Sequence, residues 1–432
     1  MNTVFFALIA LAFVVTGYHQ LTWVAPSPEA LAPMAVLGNG ILDAAKGAVT
    51  LALGLVGVMA FFLGLMKVAE AGGLLLVIAR LLRPLLVRLF PEVPADHPAM
   101  GAMVMNLSAN ALGLGNAATP FGIRAMQALD TLNPHRGTAS NAMALFLAIN
   151  TSSVTLLPTG VIALRAAAGS ADPAGILPTT LFATLCSTTV AIVSAKLLQR
   201  RWPLGDVAAA RAEAGAATPL ADTAASLPEA PSTGYAAWVS YLALLALVAL
   251  IPLAVVFGAL VGPWIVPGLA VALLGYGVAR RVRVYECFVE GARDGFEVAV
   301  RIIPYLVAIL VAVGMFRASG AMDYVVGAIG GFTAAVGLPA EALPMALLRP
   351  LSGSGAYGVL AATLDNPATG PDTYVGYLVS TLQGSTETTF YVLAVYFGAV
   401  QVRRVRHALA AGLSADLAGI AGAVAACLYL YG

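Results

Sequence analysis

Residues 383–389 read "QGSTETT" and sit in the middle of the apolar stretch "GYLVSTLQGSTETTFYVLAVYFG". As one helix that stretch would run about 34 Å at 1.5 Å per residue, enough to cross a bilayer. Its centre offers the Gln383 amide, the hydroxyls of Ser385, Thr386 and Thr388, and the carboxyl of Glu387. An ionisable group at such depth is costly and is a functional candidate by default. Glu387 could carry a proton, ligate an ion or touch a solute. The competing structural role is an ion pair, with Arg349 the obvious partner.

A second apolar stretch, "NAMALFLAINTSSVTLLPTGVIALR", places Asn150, Thr151, Ser152, Ser153 and Thr155 at matching depth. Pro158 removes a backbone donor there, and with Gly160 it loosens the helix. Residues 98–129 and 343–364 are apolar but broken by Gly-, Asn- or Ser-rich tips. From one tip come Asn106, Ser108, Asn110, Asn116 and Thr119, and from the other Arg349, Ser352 and Ser354. Any single Ser or Thr in a membrane helix often only fastens helices together. Recurrence at four places argues instead for a lining of neutral donors and acceptors, freed carbonyls and half-helix N-termini. That lining suits a polar solute making many hydrogen bonds, and helix N-termini could also hold a carboxylate.

The remaining chemistry-bearing residues form no constellation. Ser385 with Glu387 lacks a His or Lys relay, so no enzyme is expected. His19, His97, His135 and His407 are scattered without metal-ligand spacing, and the three cysteines, Cys186, Cys287 and Cys427, suggest neither disulfides nor a metal site. "NALGLGNAATP" lacks the Lys of a phosphate loop. No cofactor is called for, beyond H+ or Na+ as a coupling ion.

The elements that must position these groups follow from composition. Of 432 residues, 60% are hydrophobic and 10% charged, with mean hydropathy +0.90; soluble domains carry about 25% charged residues. The expected fold is an all-α polytopic membrane protein. A net charge of +1 without a basic, aromatic-rich surface segment excludes nucleic acid as a partner. Candidate spans are 3–20, 47–67, 139–165, 176–198, 236–257, 263–279, 298–317, 374–398 and 408–431. The N-terminal apolar segment lacks a basic start and a cleavage site and reads as a retained helix. Residues 98–129 and 343–364 have apolar runs of eight to ten residues, about half a bilayer. They read as re-entrant hairpins, tolerated only inside protein or beside water. "ARLLRPLLVRLF" reads as an interfacial helix, and "VYECFVEGARDGFEVAVR" has a similar character.

Residues 201–234, rich in Ala, Pro and small acids, read as a flexible linker between halves 1–200 and 235–432. The halves resemble each other. The segment starting at Asp43 parallels that starting at Glu290, "HPAMGAMVMNLSAN" parallels "LPMALLRPLSGS", and "NTSSVT" parallels "QGSTETT". With the N-terminus inside, all of the 22 basic residues except Lys46, Arg165, Arg317 and Arg349 fall on the cytoplasmic side, as positive charge requires. The repeats are then inverted, with two discontinuous transmembrane helices meeting at the midplane. The linker is cytoplasmic, and the location is a bacterial inner membrane.

At these residues the sequence resembles a known family. Residues 1–200 are similar to spore maturation protein A through "LGLMKVAE", "PEVPADHPAMGAMVMNLSANALGLGNAATPFG" and "NTSSVTLLPT". Residues 235–432 are similar to spore maturation protein B through "GARDGF", "RIIPYLVAILVAVGMFRASGA", "LRPLSGSGAYGV" and "QGSTETTFYVLAVYFGAV". The chain thus resembles a fusion of two nucleoside-recognition, or Gate, domains, distantly similar to concentrative nucleoside transporters. The resemblance implies a transport-type membrane fold whose hairpins and broken helices move as a unit, and it identifies no substrate. The expectation is a secondary transporter of a small polar solute, with nucleoside-like compounds and small organic anions as candidates. The alternative is a non-transporting membrane scaffold or regulatory protein. The lipid bilayer is a partner, and a second copy of the chain stays open as another.

Overall fold

Long apolar runs can satisfy their backbone N–H and C=O groups without water by forming helices. A computed structural model describes residues 2–25, 27, 30–113, 115–152, 155–203, 231, 233–321, 324, 331 and 333–432. Among the described residues all regular elements are helical. They are α1 (Asn2–Thr22), α2 (Pro33–Ala71), α3 (Leu74–Leu89), α4 (Pro98–Ala111), α5 (Gly115–Thr131), α6 (Asn141–Ser152), α7 (Thr159–Ala167) and α8 (Leu177–Leu198) in the first half. The second half holds α9 (Ala237–Ala279), α10 (Val284–Ala318), α11 (Leu343–Leu348), α12 (Gly353–Asp365), α13 (Tyr374–Ser385), α14 (Thr389–Gly398) and α15 (Ala408–Tyr431), with short 3-10 turns at Ala340–Ala342 and Pro367–Thr369. Most of the predicted linker, 204–230 and 232, lies outside the described residues.

Several expectations are corrected. The spans predicted at 236–257 and 263–279 are one continuous helix, α9. Nothing polar separates them to take over orphaned backbone groups, so the helical ladder continues. The span 298–317 is continuous with the amphipathic segment before it in α10, and 47–67 extends back to Pro33, which sits at the start of α2 where a missing N–H is harmless. The arms of the first hairpin, 14 and 17 residues, are longer than the eight to ten predicted. The interfacial segment forms the body of α3, which turns away from the end of α2 by 68° across Gly73, left-handed at φ 84°. Among the described residues, α8 and α15 are each long and apolar enough to cross a bilayer unaided.

The long helices α2 and α10 pack against each other antiparallel along most of their length. A Cβ on Gly314 would lie 3.2 Å from Ala44 Cβ, and one on Gly295 would lie 2.6 Å from Ala60 Cα. Further along, Lys67 Nζ is 3.5 Å from Glu290 Oε1. Small residues let the two backbones approach closely, as in membrane helix pairs generally.

The buried side chains form two large cores. One is built around α4, α5 and α6 with α14 and the start of α15. The other joins α7, α11, α12 and α13 with the end of α15. Two pairs of helices therefore change core where they break: α6 gives way to α7, and α13 to α14.

Gly295→Val should separate α2 from α10. The atoms met by its Cβ are backbone and cannot swing aside, so the helix-propensity gain over Gly, under about 1 kcal/mol, loses to an overpacking cost of about 1–3 kcal/mol. Thermal unfolding in detergent should show a lower midpoint, and an unchanged midpoint would refute this packing.

Candidate functional site

Each break leaves backbone groups without helical partners, and their replacements build the site. In the first half, the Leu156 N–H donates to Ala111 C=O at 2.9 Å; in the second, the Phe390 N–H donates to Pro350 C=O at 3.1 Å. Each broken helix is thus tied to the hairpin of its own half. The breaks are also tied to one another, because the Glu387 N–H donates to Thr151 C=O at 2.8 Å. Glycines permit this crowding. Gly113 is left-handed at φ 74°, and a Cβ there would strike Leu157 O.

Around the breaks lies a cavity of about 920 Å³ that draws its lining from both halves. The first half contributes Asn110, Thr119 and Thr155 and the second Arg349, Gln383, Thr386 and Glu387, with Tyr357 and Tyr391 completing this wall. At the far side α2 adds Lys67 and Glu70, and α10 adds Asp294 and Glu297. The charged lining groups are two basic and four acidic, so the cavity is net negative.

Arg349 organises the second break. Its guanidinium donates to Thr388 Oγ1 at 2.9 Å and to the Thr386 carbonyl. It also lies 3.7 Å from Glu387 Oε2. The predicted ion pair is present, but its two members differ in setting: the Glu387 side chain is 40% exposed toward the cavity and that of Arg349 only 8%. Gln383 is buried with its Oε1 unpartnered.

The other predicted residues divide by role. Asn110 Nδ2 donates to Asn150 Oδ1 at 3.0 Å, and Asn150 Nδ2 to the Phe146 carbonyl. Asn106 Nδ2 donates to the Ala118 carbonyl and to Tyr396 Oη, bracing the hairpin. Ser108, Thr151, Ser152 and Ser385 turn their hydroxyls to carbonyls of their own helices. Ser352 caps α12, accepting from the Gly355 N–H. Ser354 is half-buried and does not line the cavity. Asn116 belongs to α5, though its side chain lies outside what is described, as does Ser153 entirely.

Sequence reasoning missed Asp416. This carboxylate is 4% exposed within α15 and accepts a bond from Thr389 Oγ1 at 2.7 Å. Gly412 and Gly419 flank it and let Thr389 and Thr386 approach α15. The available signal was a lone acid in an otherwise apolar span, "LSADLAGIAG". It also missed the anchoring role of Arg165, wholly buried, which donates to the carbonyls of Pro371, Pro173 and Asp172 and to Ser170 Oγ, and pairs with Asp372 at 3.3 Å. Its guanidinium stacks over Tyr377, 4.2 Å from the ring centre. In the adjoining loop, burial pushes the Asp172 carboxyl above its ordinary range against the pull of Arg165.

Comparison with known proteins places this architecture. The Gate family, described as nucleoside recognition, matches residues 52–168 and 299–403, and the chain belongs to it. Spore maturation protein B of Bacillus subtilis (strain 168) is 46% identical over 168 residues, covering 39% of this chain and 93% of that protein. Spore maturation protein A of the same organism is 49% identical over 157 residues, covering 36% of this chain and 80% of that protein. The solved YdaH transporter of Alcanivorax borkumensis overlays loosely, with a TM-score of 0.42 at 17% identity over 99% of this chain and 97% of that one. The protein is a helical membrane protein of the Gate family.

Gly113→Ala should destabilise more than Gly137→Ala. Both positions have left-handed φ, 74° and 78°, costing a side chain roughly 1–2 kcal/mol, but only the Gly113 Cβ meets an obstacle. Paired thermal melts read the difference; equal losses would mean that the Leu157 contact contributes nothing.

Proposed function

We propose that the protein is a secondary transporter, coupled to H+ or Na+, that binds a small polar solute where its two broken helices meet. The observation that supports this best is the cavity lined from both halves at the helix breaks, with Glu387 reaching into it. In this reading the halves 1–200 and 235–432 are inverted repeats, residues 98–129 and 343–364 are re-entrant hairpins, and the breaks lie near the bilayer midplane. Antiparallel packing of α2 and α10 agrees with the inversion. The orientation proposed is N-terminus and linker in the cytoplasm, in a bacterial inner membrane.

Charge narrows the solute class. A net negative lining repels an anion and favours a neutral or cationic compound. Amides, hydroxyls and two tyrosines fit a neutral, multiply hydrogen-bonding molecule of nucleoside-like character better than an organic anion. Relatives named for spore maturation leave the scaffold reading open, and the self-bonded hydroxyls of Ser108, Thr151, Ser152 and Ser385 suit it.

Two experiments separate the readings. Proteoliposomes under imposed pH or Na+ gradients, offered nucleosides, amino acids and small carboxylates, should accumulate a neutral or cationic solute. Glu387→Gln should abolish or uncouple that uptake while expression is unchanged, and equal accumulation by the variant would reject the role of Glu387. Separately, in a background lacking Cys186, Cys287 and Cys427, cysteines at Thr119 and Thr155 should react with a membrane-impermeant thiol reagent. Protection of both under every condition would favour the scaffold.

A further inference from the structure

Beside the second break lies a separate void of about 10 Å³, roughly enough for one water. Asp416, Arg349, Ser385 and Thr386 line it, and Thr386 also lines the main cavity. Two buried polar atoms on groups that line this void have no partner: Asp416 Oδ1 and Arg349 Nε. Both residues are more than nine-tenths buried. Arg349 therefore stands between two carboxylates, Glu387 on the cavity side and Asp416 at the void.

Charge counting decides what this triad needs. One guanidinium with two ionised carboxylates leaves a net charge of −1 inside an apolar body, which is strongly disfavoured. One added positive charge neutralises it. A metal cation in the void would face the Arg349 guanidinium, and like charges at such range repel. A proton meets no such obstacle. Glu387 has the salt bridge to Arg349 and faces the cavity, whereas Asp416 is buried without an ion pair, so the added proton is assigned to Asp416.

We propose that Asp416 is a proton-binding site: it is held as the neutral acid while Arg349 pairs with Glu387, and a water in the void bridges its Oδ1 to Arg349 Nε. The elements packed on α15 at this level present Thr151, Ser187 and Thr389, with Cys186 near Gly422. Among the described residues Arg349 is the charged group facing Asp416. When that proton passes from Asp416 to Glu387, Arg349 exchanges its pairing from Glu387 to Asp416, so the triad always carries one. Use of this exchange to drive uptake rests on the transport reading; the location of the proton does not.

Infrared spectroscopy of the protein in lipid bilayers at neutral pH tests the proton directly, with no solute. The wild type should show a protonated-carboxyl C=O band that shifts in D2O, and Asp416→Asn should lose it. Glu387→Gln should lose it as well, because the remaining pair needs no proton, whereas Arg349→Gln should strengthen it. If Asp416→Asn does not fold, Thr389→Val keeps the acid and should move the band by removing its hydrogen bond. A wild type without the band, or an Asp416→Asn protein that keeps it in full, overturns the inference. Uptake in proteoliposomes without this band pattern would sink the inference alone; the band pattern without uptake would sink only the transport reading.

Discussion

A helix that stops inside an apolar body leaves N–H and C=O groups that no water can satisfy, and each buried orphan costs about 1–3 kcal/mol. The arrangement of this protein's centre follows from meeting that demand twice at one place. The bond from the Glu387 N–H to Thr151 C=O uses an orphan of each break to satisfy the other. The tethers at Leu156 and Phe390 assign further orphans to the hairpins. Thr386 keeps its carbonyl satisfied through Arg349, which accounts for a cation so deep in the structure. Since main-chain groups must meet at hydrogen-bonding distance, side chains have to give way, and Gly113, Gly353 and Gly419 stand where any Cβ would obstruct.

Once backbone demands are met, the side chains near the breaks divide between structure and solvent. Those hydroxyls that turn to their own helix carbonyls relieve local orphans and leave little polarity for a ligand. The amides of Asn110 and Gln383, the Glu387 carboxyl and the phenols of Tyr357 and Tyr391 line the cavity. The charged wall supplied by α2 and α10 comes from outside the broken elements and sets the sign of the field. Polarity at the centre and charge at the rim thus have different sources in the chain.

How much of this could be read from residue order depends on whether the signal was local. The helix ends at Ser152 and Ser385 were legible because Asn, Ser, Thr, Gly and Pro interrupt an apolar run there. The Arg349–Glu387 pair was legible because they are the two ionisable groups in adjacent apolar segments. Asp416 was not, since its meaning depends on facing Thr389 across a helix interface, and a single acid in 24 residues does not disturb hydropathy. Lys67, Glu70, Asp294 and Glu297 lie at or beyond the ends of the predicted spans 47–67 and 298–317, and only antiparallel packing of α2 and α10 brings them to one cavity. The continuity of α9 was hidden because Pro263 and Pro267 punctuate the apolar run, while no polar group stands there to take over freed backbone groups.

Each broken helix gives one segment to each of the two cores, and this has a mechanical consequence. α6 and α7, like α13 and α14, part company at their short joints, whereas α15 runs unbroken from one core into the other and ties the two together. Arg165, clamping α7 to the start of α13, makes those two segments turn as one body. The joints meet at the Thr151–Glu387 bond, so both breaks are held together at the edge of one cavity.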